Sequence, residues 1–262
     1  MKRAAAALVV FASVSCGGQA QVASSAASPD TQPPVPATPT PLSTSSSESP
    51  AASPSESPSE SSAASSPAPK PEGPPKFAAK VSAVARARLP YSWRSGCPVH
   101  YRDLRLITMT YWGFDDKAHT GELVVRRTVT DDVVKVFRKL YDMRYPIKQM
   151  RLVDAYKADD FDSIDADNTS AFNCRAATGS SNWSNHAYGE AIDINPRENP
   201  YVTAAGSTAH QNAKKFAKRP AKGKGVINSG DRVVKAFASV GWGWGGSWSG
   251  TKDYQHFSRN GR

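Results

Sequence analysis

From about residue 20 to Phe77 the chain has no aromatic residue, and fourteen of its twenty prolines fall between Pro29 and Pro75 among Ser, Ala and scattered Glu. Such a segment cannot bury enough apolar surface to offset the entropy of ordering it. It reads as a linker over residues 23–76, with a reach from roughly 40 Å as a flexible coil to roughly 180 Å as extended polyproline. A tether and a spacer without that purpose fit this composition equally. The remaining residues, 77–262, are enough for one domain with a proper core. Ahead of the linker, Lys2-Arg3 and the apolar run Ala4 to Val14 have the charged start and short apolar core of an export signal over residues 1–22, too short to cross a bilayer. Ser13-Val14-Ser15-Cys16-Gly17 reads as a bacterial lipobox that lipidates Cys16, with Ser13 where Leu is usual. The competing reading is a soluble secreted chain cut near Ala20 or Ala23. Both place the domain outside the cytoplasm, either anchored to the membrane by lipid or released.

Within the domain, Ser184-Asn185-His186-Ala187-Tyr188-Gly189-Glu190-Ala191-Ile192-Asp193-Ile194 precedes Asp253-Tyr254-Gln255-His256-Phe257 by about sixty residues. A catalytic zinc takes three imidazole or carboxylate ligands and leaves one position open, and His186, Asp193 and His256 satisfy that count. Gly189 supplies a tight turn. Glu190 to Ile194 then reads as a strand with Ile192 and Ile194 on one face and Asp193 on the other beside the small Ala191. Asp253, three residues before His256, reads as a general base that takes a proton from metal-activated water and returns it to a leaving amine. Glu190 is the fallback for that role. His100, His119 and His210 read as structural or solvent-exposed, with only His119 retained as a cleft-lining candidate.

These motifs resemble the zinc D-alanyl-D-alanine carboxypeptidase superfamily, with its Ser-x-His-x-x-Gly-x-Ala-x-Asp motif at Ser184, His186, Gly189, Ala191 and Asp193 and its acid-x-x-His at Asp253 and His256. Trp244-Gly245-Gly246-Ser247-Trp248 is similar to the Trp-Gly-Gly-x-Trp stretch of the endolysin branch, which cuts L-alanyl-D-glutamate bonds. The resemblance covers roughly residues 95 to 260. It implies a hedgehog/DD-peptidase-like fold, a zinc cofactor, and peptidoglycan stem peptides as substrate, cut by an endopeptidase or a carboxypeptidase. It also implies an upstream arginine that binds substrate, through a carboxylate or the developing oxyanion. Arg175 is the candidate, provided Phe172 to Arg175 is a strand with Phe172 and Cys174 on one face and Asn173 and Arg175 on the other. The reading from another class is a non-catalytic, zinc-stabilised wall-binding module. Retention of Asp253 counts against it, because a structural zinc needs no base.

The fold class reads as α+β with a mainly antiparallel sheet. Thr130-Asp131-Asp132 followed by Val133, Phe137 and Leu140 predicts a capped amphipathic helix, and Ser229 to Val240 predicts another, closed by Gly241. Leu123 to Val125, Glu190 to Ile194 and His256-Phe257 join Phe172 to Arg175 as predicted strands. Asp159 to Asp167 reads as a polar loop, since it lacks the spacing and central Gly of a calcium loop. In an exported chain the two domain cysteines, Cys97 and Cys174, predict a disulfide that ties the segment before the first strands to the back of the Arg175 strand. From Phe77 onward 29 Lys and Arg face 18 Asp and Glu, a net +11. Lys214, Lys215, Lys218, Arg219, Lys222 and Lys224 crowd between the ligand motifs, as a patch for anionic wall polymers or as a solvated loop. Export and a zinc site argue against nucleic acid as partner.

Overall fold

The computed structural model describes Gly73 and residues 75–262. The export signal with Cys16 and nearly all of the linker lie outside the described residues. No helix among the described residues is long and apolar enough to cross a membrane.

A four-stranded sheet forms the frame. β2 (Leu104–Gly113) pairs antiparallel with β1 (Ala79–Ala83) on one side and β3 (Ala118–Arg126) on the other, and β4 (Pro146–Ile147) joins the end of β2 in parallel. Side chains alternate across these strands, so both faces are apolar near one end. Ile107, Met109, Leu123 and Val125 point into the main core, whereas Leu104, Leu106 and Val124 point into a second cluster with Leu89, Val99, Phe172 and Cys174. α1 (Thr130–Asp142) covers the main-core face with Val133, Val136, Phe137 and Leu140, at i, i+3, i+4 and i+7, and α3 (Arg232–Ala238) adds Val233, Ala236 and Phe237. Asp131 and Asp132 occupy the first turn of α1, where carboxylates favour the positive helix end. No side chain caps either helix, and the second one is shorter than Ser229 to Val240. Gly241, at φ +83°, closes it as expected.

The metal motifs ride on small sheets packed against this frame. β7 (Ala191–Asp193) and β9 (Gly243–Trp244) flank β11 (His256–Ser258), β8 (Tyr201–Val202) pairs with β10 (Lys252–Asp253), and β5 (Gln149–Met150) pairs with β6 (Asn168–Thr169). The architecture is thus mixed α and β with mainly antiparallel pairing and few helices. Two predicted elements differ. Phe172 to Arg175 forms no strand: the N–H groups of Phe172, Asn173 and Cys174 go to Val124, His186 and Ser92 in turn, so no single partner strand sets a ladder. Asp159 to Asp167 is not a loop throughout but holds α2 (Asp160–Asp165), whose first turn is capped where Asp162 N donates to Asp159 Oδ1 at 2.9 Å.

Cys97 and Cys174 are joined, with Cα atoms 5.8 Å apart and a sequence separation of 77. The bridge departs from the expected path in one respect, because β1 precedes Cys97. It ties the β1–β2 connection, not a pre-strand segment, to the chain leading into Arg175. A loop of that length gives about 4 kcal/mol by the chain-entropy relation. Replacing both cysteines by Ser is therefore expected to lower the thermal midpoint by roughly 10 °C, and an unchanged melting curve would contradict this.

A buried acid pair lies beyond the cleft. Asp167, at φ +58°, accepts from Arg197 N at 3.1 Å, and the one guanidinium of Arg197 serves both Asp167 (3.4 Å) and Glu198 (2.7 Å). Burial, then the hydrogen bond and charge of Glu198, push the Asp167 carboxyl up to about 8. The ordinary aspartate value is about 4, so between that pH and about 8 the folded state holds a proton that the unfolded state has released. Stability is therefore lost as pH rises through this window. Asp167→Asn removes the titration, and Asn tolerates the left-handed backbone. The variant's thermal midpoint should gain on the wild type's as pH rises, with the largest gap at pH 8 and above. Parallel curves would contradict the assignment.

Candidate active site

Strand register brings two of the predicted ligands side by side. β11 runs antiparallel to β7 so that His256 faces Asp193 directly, while Ile192 and Phe257 turn into the core behind them. His186 arrives on a 3₁₀ turn, Asn185–Tyr188, with Ser184 as its N-cap. Gly189 ends that turn at φ +68°, and a Cβ there would meet the Arg126 backbone nitrogen at 2.7 Å. The close approach lets Arg126 N donate to the Gly189 carbonyl at 2.9 Å, docking the turn on β3.

The donor atoms converge in a buried cluster. His186 Nε2 lies 3.2 Å from Asp193 Oδ2 and 3.2 Å from His256 Nδ1, and His256 Nδ1 lies 3.1 Å from Asp193 Oδ1. The outward nitrogens are already engaged: His186 Nδ1 donates to the Ala171 carbonyl at 2.6 Å and His256 Nε2 to the Arg262 carbonyl at 3.0 Å. A neutral imidazole carries one N–H, so these two bonds leave lone pairs on both inward nitrogens. With both rings neutral, two lone pairs and a carboxylate face one another. That arrangement fits a cation, and zinc bonds of 2.0–2.1 Å in tetrahedral geometry put ligands ~3.3 Å apart. Burial opposes charge on His186, but the Asp193 carboxylate and the Ala171 carbonyl raise it on balance. Burial likewise opposes charge on Asp193, which the two imidazoles outweigh, holding its carboxyl well below the usual range.

The cluster floors a cleft of about 620 Å³ that also includes Arg175, Asp253, Gln255, Tyr201 and Trp248. Among the described residues seven buried side-chain atoms have no hydrogen-bond partner, and four of them line this cleft: Arg175 Nε, Thr208 Oγ1, Asp253 Oδ1 and Gln255 Oε1. These four groups are polar contacts the cleft offers to water or to a polar ligand. Burial, then the charge of Asp193, push the Asp253 carboxyl up to about 7, against the pull of His256 and Arg175. Gly245 makes room for it, since a Cβ there would meet the Asp253 carbonyl at 2.6 Å. The two tryptophans of the Trp-Gly-Gly-x-Trp stretch divide their work. Trp244 is in the core and donates to the Tyr254 carbonyl, whereas Trp248 lines the cleft with its ring 5.6 Å from that of His256.

His186, Asp193, His256, Asp253 and Arg175 thus share one cleft, although the Arg175 segment is irregular. Its alternation survives where it matters, with Phe172 and Cys174 in the second core cluster and Arg175 in the cleft. His119 does not belong there; it pairs with Asp115 at 2.8 Å and stacks on Tyr111. His210, read from sequence as structural or exposed, lines the cleft instead, held by Asp165 at 2.7 Å. Asp160 and Phe161 were missed with it. The cap at Asp159 followed by acids in the first turn was the signal for the helix that presents them. In the basic insertion Arg219 turns inward, stacking over Tyr254 at 4.0 Å and donating to Glu198, Asn199 and Ile227, so it is not part of an outward patch.

Residues 178–259 match a family model described as D-alanyl-D-alanine carboxypeptidase. The matched segment contains His186, Asp193, Asp253 and His256 and begins after Arg175 and α2. No curated protein and no solved structure matches the chain.

Proposed function

We propose that this chain, a member of the D-alanyl-D-alanine carboxypeptidase family over residues 178–259, is an exported zinc peptidase of peptidoglycan with a hedgehog/DD-peptidase-like fold. Its reaction is hydrolysis of an amide bond in the stem peptides. The observation that carries this reading is the buried meeting of His186 Nε2, Asp193 and His256 Nδ1, beside a cleft holding an unpartnered carboxylate oxygen and an unpartnered guanidinium nitrogen.

In this proposal His186, Asp193 and His256 hold the zinc, which when bound supplies Lewis-acid polarisation of the scissile carbonyl and acidification of water. Asp253 takes the proton of the attacking water and passes it to the leaving amine. Its buried carboxylate oxygen without a partner is free to accept that proton and to return it. Arg175 offers a buried N–H to the substrate carbonyl or the developing oxyanion. Cys16 lipidation and the Pro-rich linker would let a membrane-anchored domain reach the surrounding wall, and the outward lysines of the insertion would favour anionic wall polymers.

Metal content tests the ligand set apart from turnover. The purified protein is expected to hold about one zinc per chain by elemental analysis, and a chain that stays metal-free after incubation with zinc would overturn the assignment.

A further inference from the structure

α2, which lies outside the segment matching the family, lines the cleft with Asp160, Phe161 and Ile164. The helix is fixed at both ends. Asp159 caps its start, while Asp165 holds His210 through its carboxylate and Asn212 through its carbonyl, and Phe161 stacks on His210 with ring centres 4.3 Å apart. Asp160, the first residue of the helix, is therefore held in place and not carried on a loose loop. Its Oδ2 lies 2.9 Å from Arg175 Nη2. Arg175 Nη1 donates to the Ala176 carbonyl at 3.1 Å, and Nε is buried without a partner.

These contacts decide what the guanidinium can receive. An arginine that binds a free carboxylate does so best with two parallel N–H groups and no competing anion. Here the Asp160 carboxylate already stands on one terminal nitrogen. A substrate carboxylate arriving at Arg175 would meet a like charge, which costs it binding, whereas a neutral amide carbonyl needs one N–H and meets no repulsion.

We propose that Asp160 is a specificity-determining residue, which reserves Arg175 for neutral carbonyl groups. The cleft then takes an amide bond whose following residue continues as a peptide or ends in a carboxamide, in preference to one followed by a free terminal carboxylate. This rests on the peptidase reading and names its substrate class.

The test uses the full chain loaded with zinc and two stem-peptide substrates that differ only in a free carboxylate or a carboxamide on the residue after the scissile bond. Wild type is expected to favour the carboxamide by about tenfold in kcat/KM. Asp160→Asn should bring the two within about threefold, through a lower KM for the free acid, with zinc content retained. Asp160→Ser, which keeps a helix-start residue, serves as the second variant should the first fold poorly. A wild-type preference for the free acid, or a ratio unchanged in both variants, would overturn the proposal. Equilibrium binding of the same pair by calorimetry separates the two readings. A preference that Asp160→Asn abolishes, in a protein that hydrolyses neither peptide, would sink the peptidase reading and leave this one standing.

Discussion

Replacing His186 or His256 by Ala is expected to abolish metal binding and hydrolysis together. Each imidazole contributes one of only three donors, and each is held by a carbonyl behind it, Ala171 for His186 and Arg262 for His256, so neither neighbour can swing in to substitute. Loss of one donor also leaves the Asp193 carboxylate buried with a single imidazole. That penalty works on stability as well as affinity, so the variants should unfold at lower temperature even without metal. Elemental analysis checks the first half of this expectation, and unchanged zinc in both variants would refute the ligand set.

Asp253→Asn is the second large effect, and its signature differs. The side chain keeps its shape, makes no contact that holds the metal cluster, and loses only the capacity to take and return a proton. Zinc content should stay near wild type while turnover falls by about 10²-fold or more, the usual scale of a positioned acid-base group. Near-normal turnover would move the base elsewhere, to Glu190 first. Glu190, however, is already paired with Arg126 at 3.0 Å and does not line the cleft.

What could be read from sequence was local and periodic. The parity of Ala191, Ile192, Asp193 and Ile194 gave the buried and metal-facing sides of β7, and the spacing of Val133, Phe137 and Leu140 gave the covered face of α1. Phe172 to Arg175 failed as a strand because alternation reports which way side chains face, and this segment alternates while bonding to three different partners. The register of His256 against Asp193 is a long-range fact, set by the pairing of strands sixty residues apart, and the motif spacing only hinted at it. Asp160 and His210 were illegible for a related reason. Neither belongs to a motif: Asp160 opens a short helix and His210 precedes a 3₁₀ turn, and only the tertiary fold brings both to the cleft.

The central claim is that this cleft hydrolyses an amide bond of a peptidoglycan stem peptide with zinc in place. Incubating the purified protein with defined muropeptides, and reading the products by mass spectrometry before and after chelation and zinc restoration, tests it most directly. The account predicts a single cleaved bond, lost on chelation and recovered with zinc. Intact muropeptides after incubation with protein shown to carry about one zinc per chain would contradict it.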